Sequence, residues 1–410
     1  MEDPLYPRFV QRRIEVELSD TRIVFLCGPR QAGKTTLARQ VAGSSMPYIT
    51  FDDAVTREIA LDDPSGFVRR LDRAVIDEVQ RVPMILLPLK QSVDEDQRAG
   101  RFFLTGSTSL LRASQVADSL AGRMSTLHLW PLAQAEVRGR PSRFLEHTFG
   151  GLAPCVSDVR LDDDLVKVVL SGGFPEALRR HEWPRHQSWF DAYLESLLQR
   201  DIRDIANIRR MSVMPEALSA VAALSGNLMN YTTLGNAIGV SNVTARTYVG
   251  LLEQLFLIQR LRPWHSNRLK RLVRTPKIQF TDAGLLAAQL GISPEKVKID
   301  RRLFGPLLES FVFAELLKCA GWTGEQYRFY HFRDKEGREV DFVIEDRTGG
   351  TIGVEVKAAA TIRSRDFSGL RHLEMATGAR FRQGIVLYDG SRVVSFGDRL
   401  IAAPLSALWA

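Results

Sequence analysis

The chain has 410 residues, a length that favours about two to four domains over a single one. Hydrophobic residues make up 45% of it and charged residues 25%, with a formal net charge of +7, so disorder is excluded as the main state. No apolar run approaches the roughly 18 residues that a membrane helix needs. The three cysteines are widely spread and the start lacks the features of a secretory signal, which predicts a cytoplasmic protein with no membrane partner.

Short apolar segments alternate with helical ones over the first 145 residues. Strands that alternate with helices predict a parallel sheet with helices on its faces. From about residue 161 to 261 the pattern is almost wholly helical, and strands then return near the C-terminus. The expected strands are Ile23–Cys27, Tyr48–Phe51, Ala74–Ile76, Phe102–Leu104, Tyr327–Phe332, Glu339–Glu345, Thr351–Lys357 and Gly384–Tyr388, and the first expected helix is Lys34–Ala42.

The motif G-x-x-x-x-G-K-[ST] stands between the first expected strand and the first expected helix. It comprises Gly28, Pro29, Arg30, Gln31, Ala32, Gly33, Lys34 and Thr35, and Thr36 follows it. Glycines let successive backbone N–H groups curl around phosphates, and the helix N-terminus adds a positive dipole end. Lys34 is expected to reach the β- and γ-phosphates, and the Thr35 hydroxyl to bind Mg²⁺. The sequence therefore predicts a site for ATP and Mg²⁺.

A strand that ends in two carboxylates follows, with Asp77 placed 43 residues after Lys34. Asp77 suits the Mg²⁺ shell, and Glu78 suits activation of the attacking water in line with the γ-phosphate. A third strand ends in the hydroxyls of Thr105 and Ser107. We expect this strand to lie between the first two and to aim Thr105 or Ser107 at that water. Ordinary turn chemistry is the alternative explanation of either hydroxyl.

Four segments, GPRQAGKTTL, VIDEVQRVP, LTGSTSLL and SLAGR, follow one another in an order that resembles a bacterial and archaeal family of AAA-type ATPases with a C-terminal domain of unknown function. The resemblance extends to the later segments GGFPE, EVDFVIE and GVEVK. It implies that Lys34, Thr35, Asp77 and Glu78 carry nucleotide chemistry. It also matches Arg123 to an arginine that senses or stabilises the γ-phosphate, and action in trans would require a homo-oligomer. A structural salt bridge is the alternative role for Arg123.

Residues 230–252 are typical of a helix-turn-helix. Thr233 is expected to cap the first helix and Ser241 the second, and Gly239 permits the tight turn between them. The residues expected to face the core are Leu234, Ala237, Ile238, Val243, Tyr248, Leu251, Leu252 and Leu255.

The surface of this segment is expected to contact DNA. Asn242, Thr244 and Arg246 lie near the start of the second helix, where a recognition helix meets base edges. Residues 256–261 and Lys277–Phe280 are expected to pair as a wing that carries Arg268, Lys270 and Arg271 for phosphate contacts. Residues 175–275 contain 14 Arg and Lys against 8 Asp and Glu, and such a local excess is typical of an anionic polymer partner. Contact with protein is the alternative, because winged-helix modules also serve as lids in ATPases.

Two alternating strands near the C-terminus each place charged residues on one face. Asp341 lies on the polar face of the first strand, and Glu355 and Lys357 share the polar face of the second, with Glu355 14 residues after Asp341. This pattern resembles the PD-(D/E)xK nuclease core, in which acids hold Mg²⁺ beside a scissile phosphate and a lysine activates water. In this resemblance, Glu309 from an upstream helix adds a third acid to the metal shell. A binding role without cleavage, or solvated strand charges, are the alternatives.

These motifs predict an α/β multidomain fold in four parts. A P-loop parallel-sheet ATPase core spans 1–150, a helical lid 151–215, a winged helix-turn-helix 216–295, and a restriction-endonuclease-like α/β domain 296–410. The predicted function is Mg²⁺-dependent ATP hydrolysis coupled to action on DNA, with ATP-dependent DNA cleavage as one form of it. The alternative is a signalling or scaffold ATPase whose later domains bind protein and do not cut.

Overall fold

A parallel sheet forms the N-terminal part of the protein. The computed structural model describes residues 5–44, 46–107, 120–201, 211–266 and 275–410, and only the backbone at 200, 201 and 211. The strands are β1 (Ile23–Cys27), β2 (Tyr48–Thr50), β3 (Ala74–Asp77), β4 (Phe102–Gly106) and β5 (Met124–His128). Their order is β2-β3-β4-β1-β5, and all the pairings are parallel. Strand β4 lies between β1 and β3, which confirms the position expected for the third strand.

Helices cover both faces of this sheet. They are α1 (Val10–Asp20), α2 (Lys34–Ala42), α3 (Ala54–Asp62), α4 (Pro64–Arg69) and α5 (Leu86–Glu95). Strand β1 is buried along its whole length, and its alternate residues point to opposite faces. Val24 and Leu26 belong to the cluster that contains residues of α1 and α2, while Phe25 belongs to the larger core. Because the strands are parallel, their carboxyl ends meet at one edge of the sheet.

The middle of the chain is mainly helical in its described part, as expected. It contains α6 (Gln134–Val137), α7 (Phe144–Phe149), α8 (Asp162–Ser171), α9 (Pro175–Leu178), α10 (Trp183–Ser196), α11 (Met214–Ala223), α12 (Tyr231–Ala237), α13 (Asn242–Gln254), α14 (Ala283–Gln289) and α15 (Pro294–Ile299). A π-helical turn at Leu197–Asp201 follows α10. Short 3₁₀ helices lie at Val79–Arg81, Pro83–Ile85, Met211–Val213, Arg301–Leu303, Ser364–Phe367, Gly378–Arg380 and Leu405–Trp409.

Helices α12 and α13 are the two helices expected around residue 240, with three corrections. Asn230 caps α12, because its side chain accepts from two backbone N–H groups, so the cap predicted at Thr233 was wrong. The cap predicted at Ser241 is confirmed. Val243 is 70% exposed and Ala237 is exposed, so both were wrongly placed in the core. The other expected core residues are buried: Leu234, Ile238, Tyr248, Leu251, Leu252 and Leu255.

A second, mixed sheet of eight strands forms the C-terminal part. The strands are β6 (Ile258–Pro263), β7 (Lys277–Phe280), β8 (Arg328–Arg333), β9 (Glu339–Glu345), β10 (Thr351–Lys357), β11 (Phe381–Tyr388), β12 (Val394–Gly397) and β13 (Leu400–Pro404). Their order is β12-β13-β11-β10-β9-β8-β6-β7. Strands β6 and β7 form the expected antiparallel hairpin, and β6 also pairs with β8. The hairpin therefore extends the C-terminal sheet.

Helices α16 (Phe304–Trp322) and α17 (Ser368–Thr377) complete the C-terminal part. Two residues of α16 form a buried ion pair with each other, and both also contact the turn at residues 132–136. Lys318 Nζ lies 3.0 Å from Glu315 Oε1, and both side chains are buried. Glu315 accepts from the backbone N–H of Gln134 at 2.7 Å, and Lys318 donates to the carbonyl of Leu132 at 3.0 Å. The turn at residues 132–136 therefore binds α16.

Among the described helices, none combines the length and apolar character that crossing a membrane requires.

Candidate functional site

The loop after β1 is bent sharply and leads directly into α2. Gln31 and Gly33 have positive φ angles of 59° and 98°, in the left-handed region. A Cβ atom at Gly28 would lie 2.0 Å from the carbonyl oxygen of Leu129, so the close approach of these two backbones requires glycine. Helix α2 begins at Lys34. The predicted P-loop is thus followed by a helix N-terminus, as phosphate binding requires.

The Lys34 ammonium group is buried in this loop. Its Nζ donates to the carbonyl oxygens of Gly28 at 3.0 Å and Pro29 at 2.9 Å. Burial lowers the pKa of Lys34 to about 8, although the nearby carboxylates of Glu78 and Asp77 oppose this shift. Neutral carbonyls are weaker partners for an ammonium group than phosphate oxygens. A bound phosphate would therefore be a stronger partner for the Lys34 ammonium group than these two carbonyls are.

Asp77, at the end of β3, accepts hydrogen bonds from three hydroxyl groups. Thr35 Oγ1 donates to Asp77 Oδ2 at 2.9 Å, Tyr48 donates to the same oxygen at 2.6 Å, and Thr105 donates to Oδ1. Burial and the contact with Asp77 raise the pKa of Tyr48 to about 12. Thr35 and Asp77 lie together as predicted, and this hydroxyl and carboxylate fit Mg²⁺ held by nucleotide phosphates. Tyr48 was not predicted, because no motif marks it.

Glu78 follows Asp77 in a left-handed backbone conformation, with φ of 59°. Its backbone N–H donates to Thr105 Oγ1 at 3.3 Å, and its carboxylate accepts from the Gln80 amide, which also donates to Ser107 at 2.9 Å. Burial raises the pKa of Glu78, which strengthens it as a proton acceptor. Thr105 is fully buried, and its hydroxyl joins the Asp77 carboxylate to the Glu78 backbone. Thr105 therefore positions Asp77 and Glu78, and its contact with the attacking water stays a prediction.

A cavity of about 640 Å³ opens in front of this loop. Its wall includes the predicted nucleotide residues Arg30, Gln31, Ala32, Gly33, Lys34, Thr35 and Thr36. Gly28 and Pro29 do not line it and instead supply the carbonyls that hold Lys34. The opposite wall comes from the helical segment and includes Glu176, Arg179, Trp189 and Tyr193. The cavity therefore lies between the P-loop and the segment predicted as a lid.

Arg8 holds the P-loop through its guanidinium and also lines the cavity, and it was not predicted from the sequence. Its guanidinium donates to the carbonyl of Ala32 at 2.8 Å, to that of Trp130 at 2.6 Å, and to Glu136 Oε1 at 3.1 Å. The side chains of Arg8 and Glu136 are 8% and 3% exposed. Glu136 also accepts from the backbone N–H groups of Phe9 and Ala133. Arg8 precedes the motif by 20 residues, and no pattern in that stretch marks it.

Arg123 lies at the wrong edge of the sheet to act on a nucleotide bound to its own chain. It directly precedes β5, which runs parallel to β1, whereas the P-loop follows the opposite end of β1. Its guanidinium forms a paired contact with the carboxylate of Asp94, at 3.0 Å for Nη2–Oδ2. The salt-bridge alternative is confirmed, and a catalytic role in cis is wrong. Action in trans stays a prediction.

The Gly172–Gly173 pair connects the helical side of the cavity to the rest of the chain. The Gly173 carbonyl accepts from the backbone N–H of Leu132 at 2.7 Å, and its N–H donates to Asp282 Oδ2 at 2.7 Å. Gly172 has φ of 64°, and a Cβ there would lie 2.3 Å from Asp282. Burial raises the pKa of Asp282, which also caps α14. No sequence motif indicates that Asp282 contacts this loop.

The residues predicted to contact DNA are only partly within the described chain. Asn242 and Arg246 are exposed in the first turns of α13, and Thr244 is half-buried. The Arg246 guanidinium lies over the Tyr231 ring, 4.6 Å from its centre. Arg268, Lys270 and Arg271 lie outside the described residues.

Three C-terminal carboxylates meet as predicted, although the strand β7 adds a lysine that was not predicted. Asp341 on β9 and Glu355 on β10 are neighbours, since Asp341 N donates to Glu355 Oε2 at 3.4 Å. Lys357 Nζ donates to Glu355 Oε1 at 2.7 Å. Lys277 Nζ lies 3.8 Å from Glu309 Oε1 and 3.9 Å from Asp341 Oδ1. Burial raises the pKa of each of the three acids.

The predicted Mg²⁺ site of Glu309, Asp341 and Glu355 is not formed. Within the described ranges, no group of three His, Cys, Asp or Glu residues has the arrangement to hold a metal ion. The buried ammonium group of Lys277 lies 3.8 Å from Glu309 and 3.9 Å from Asp341, and the backbone N–H of Val356 donates to Asp341 at 2.9 Å. The catalytic role predicted for Lys357 stays a prediction, and its ammonium group pairs with Glu355.

Comparison with known families divides the chain into three matched regions. Residues 20–138 match a family described as an AAA domain. Residues 162–296 and 304–408 match two domains of unknown function, DUF8612 and DUF4143. Residues 20–138 thus form an AAA-type P-loop domain, in agreement with the parallel sheet and the loop geometry, and the other two matches assign no activity.

Similar proteins are known in bacteria and archaea. An uncharacterized protein of Mycobacterium tuberculosis is 29% identical over 397 residues, which cover 96% of this chain and 82% of that protein. An uncharacterized protein of Methanocaldococcus jannaschii is 23% identical over 354 residues, covering 82% of this chain and 75% of that one. Among solved structures, the Walker-type ATPase of Pyrococcus abyssi aligns with a TM-score of 0.43 and 17% identity over 70% of this chain and 96% of that chain.

Proposed function

We propose that this chain hydrolyses ATP in the cavity between the P-loop and the helical segment. The observation that carries the proposal is the convergence of three strand ends, which bring Lys34, Asp77, Glu78 and Thr105 together. Lys34 and the loop amides bind the β- and γ-phosphates, and Glu78 accepts the proton of the attacking water. Mg²⁺ neutralises phosphate charge when bound, and Thr35 and Asp77 would hold it.

The test of this proposal is nucleotide binding as a function of pH. Mg·ATP is expected to bind the wild-type protein and to lose most of its affinity for Lys34→Ala. Affinity is also expected to fall as pH rises through about 8, because Lys34 loses its proton in the free protein while phosphates favour the charged form. The decline above that pH approaches about tenfold per pH unit. Calorimetry measures the affinity, and phosphate release measures turnover.

The matched control is Lys335→Ala, which removes an exposed lysine from the turn between β8 and β9. This variant is expected to bind like wild type at every pH. Absence of nucleotide binding by the folded wild-type protein would refute the proposal. An affinity that stays constant from about pH 7 to about pH 9 would show that Lys34 keeps its proton over this range, and unchanged binding by Lys34→Ala would remove Lys34 from the phosphate site.

We further propose that the start of α13 contacts duplex DNA. Asn242 and Arg246 are exposed there, and the stacking of Arg246 on Tyr231 orients its guanidinium. Val243 lies beside them at 70% exposure. Polar side chains with an adjacent apolar one suit base edges and the thymine methyl group in a major groove. This proposal concerns binding to DNA and does not include DNA cleavage.

Arg246→Ala is expected to weaken binding to a DNA duplex at low salt. If Arg246 contacts a phosphate, the slope of log affinity against log salt falls by about 1, and a base contact costs about 1–3 kcal/mol. Fluorescence anisotropy over a salt series measures both effects. The control is Arg302→Ala, whose side chain is 91% exposed in a different part of the chain. Lack of DNA affinity at low salt would contradict the proposal and favour a protein partner for this surface.

A further inference from the structure

Lys277 is a buried cation that lies among Glu309, Glu339 and Asp341, which form an acidic cluster. Its side chain is 5% exposed, and Nζ lies 3.5 Å from Glu339 Oε2, 3.8 Å from Glu309 Oε1 and 3.9 Å from Asp341 Oδ1. A buried ammonium group is stable only where opposite charges surround it. The carboxylates of Glu309 on α16 and of Glu339 and Asp341 on β9 provide that opposite charge.

Oxygens of Asp341 and Glu355 also accept hydrogen bonds from protein donors. Asp341 Oδ2 accepts from Val356 N at 2.9 Å, and the two oxygens of Glu355 accept from Lys357 and from the Asp341 backbone. Mg²⁺ demands near-ideal octahedral oxygen ligands at about 2.0–2.1 Å. The acids supply no such set in the described chain, and the ammonium group of Lys277 lies in the space that they share.

Strand β7 supplies two of the donors that lie among these acids. Lys277 and Gln279 are alternate residues of β7 and therefore point to the same side. Gln279 Nε2 donates to Glu309 Oε1 at 2.6 Å, the same oxygen that faces Lys277. Strand β7 is the outermost strand of the sheet and pairs there with β6. The hairpin thus inserts both a charge and an amide among the acids.

We propose that the Lys277 ammonium is the resident cation of this acidic cluster and excludes divalent metal ions from it. The C-terminal part then binds no catalytic metal while the hairpin β6–β7 is in place, and β7 is locked to α16 and β9 by charge. This assignment does not depend on ATP hydrolysis or on DNA binding. The contacts of Lys277 with this cluster connect β7 to α16 and to β9.

The test uses Mn²⁺ on the full chain in the absence of nucleotide. Lys277→Met is expected to unfold at a lower temperature than wild type, because it leaves buried carboxylates without their cation. Mn²⁺ is expected to raise that midpoint and to bind with one more ion per chain than wild type, since it replaces the lost charge. The double variant Lys277→Met/Asp341→Asn is expected to show neither the rise of the midpoint with Mn²⁺ nor the additional bound ion. Thermal unfolding measures the midpoint, and calorimetry measures the number of bound ions.

Lys335→Met is the matched control and is expected to behave as wild type, because Lys335 is exposed. A wild-type protein that binds Mn²⁺ in a manner abolished by Asp341→Asn would overturn the proposal, since the metal would then displace Lys277. That comparison needs no Lys277 variant and decides the matter even if Lys277→Met does not fold. Failure of folded Lys277→Met to gain an ion would also overturn it.

Discussion

Glu78→Gln is expected to bind Mg·ATP normally and to hydrolyse it about 10²–10⁴ times more slowly than wild type. Glutamine keeps the size of the side chain and its contact with Gln80, but it cannot accept a proton from water. Lys34, Thr35 and Asp77 are unchanged, so the phosphates and Mg²⁺ keep their partners. Single-turnover phosphate release measures the chemical step, and calorimetry measures binding.

Glu58→Gln is the control for this experiment, because Glu58 is an exposed acid on α3 in the same domain. It is expected to retain wild-type turnover. A Glu78→Gln variant that hydrolyses ATP at the wild-type rate would assign the base to another group. A loss of binding in place of turnover would mean that Glu78 contributes to holding the nucleotide or Mg²⁺.

Glu136→Gln is expected to lower the free energy of unfolding by about 3–5 kcal/mol, because it leaves the buried Arg8 guanidinium without its counter-charge. It is also expected to weaken nucleotide binding, since Arg8 holds the P-loop carbonyl of Ala32. The shift of the urea midpoint measures stability, and calorimetry measures affinity.

The natural comparison is Glu146→Gln on α7, which breaks the exposed pair of Glu146 with Arg143. Exposed pairs contribute about 0–1 kcal/mol, so this variant is expected to be close to wild type. Equal urea midpoints for the two variants would show that the Arg8–Glu136 pair stabilises neither the domain nor the loop.

The sequence predicted the parts of the site that follow strand ends. The P-loop, Asp77 and Glu78 carry residue types whose chemistry fixes their surroundings, and the parallel pattern places them at one edge of the sheet. The meeting of Asp341 and Glu355 was also predictable, because alternation along two strands determines which residues share a face. Residue type, spacing and periodicity are sufficient where contacts are local or strand-directed.

Contacts between residues that are far apart in the sequence could not be predicted from residue type, spacing and periodicity. Arg8 and Lys277 reach their partners across the fold, and single charged residues outside a motif do not reveal their partners. Arg123 was misplaced because a motif match does not say which end of a strand faces the nucleotide. Val243 fitted the helical period, but the tertiary packing leaves the first turn of α13 in solvent.

The turn at residues 132–136 has a wider consequence for how such chains can change. It contacts the P-loop support through Glu136, the glycine pair of the helical segment through Leu132, and α16 through Gln134. Loss of the C-terminal half in a lineage would leave the backbone N–H of Gln134 and the carbonyl of Leu132 without their partners on α16. The segments of this protein are therefore expected to be inherited together, and recombination with foreign modules is expected to require compensating changes within these few residues.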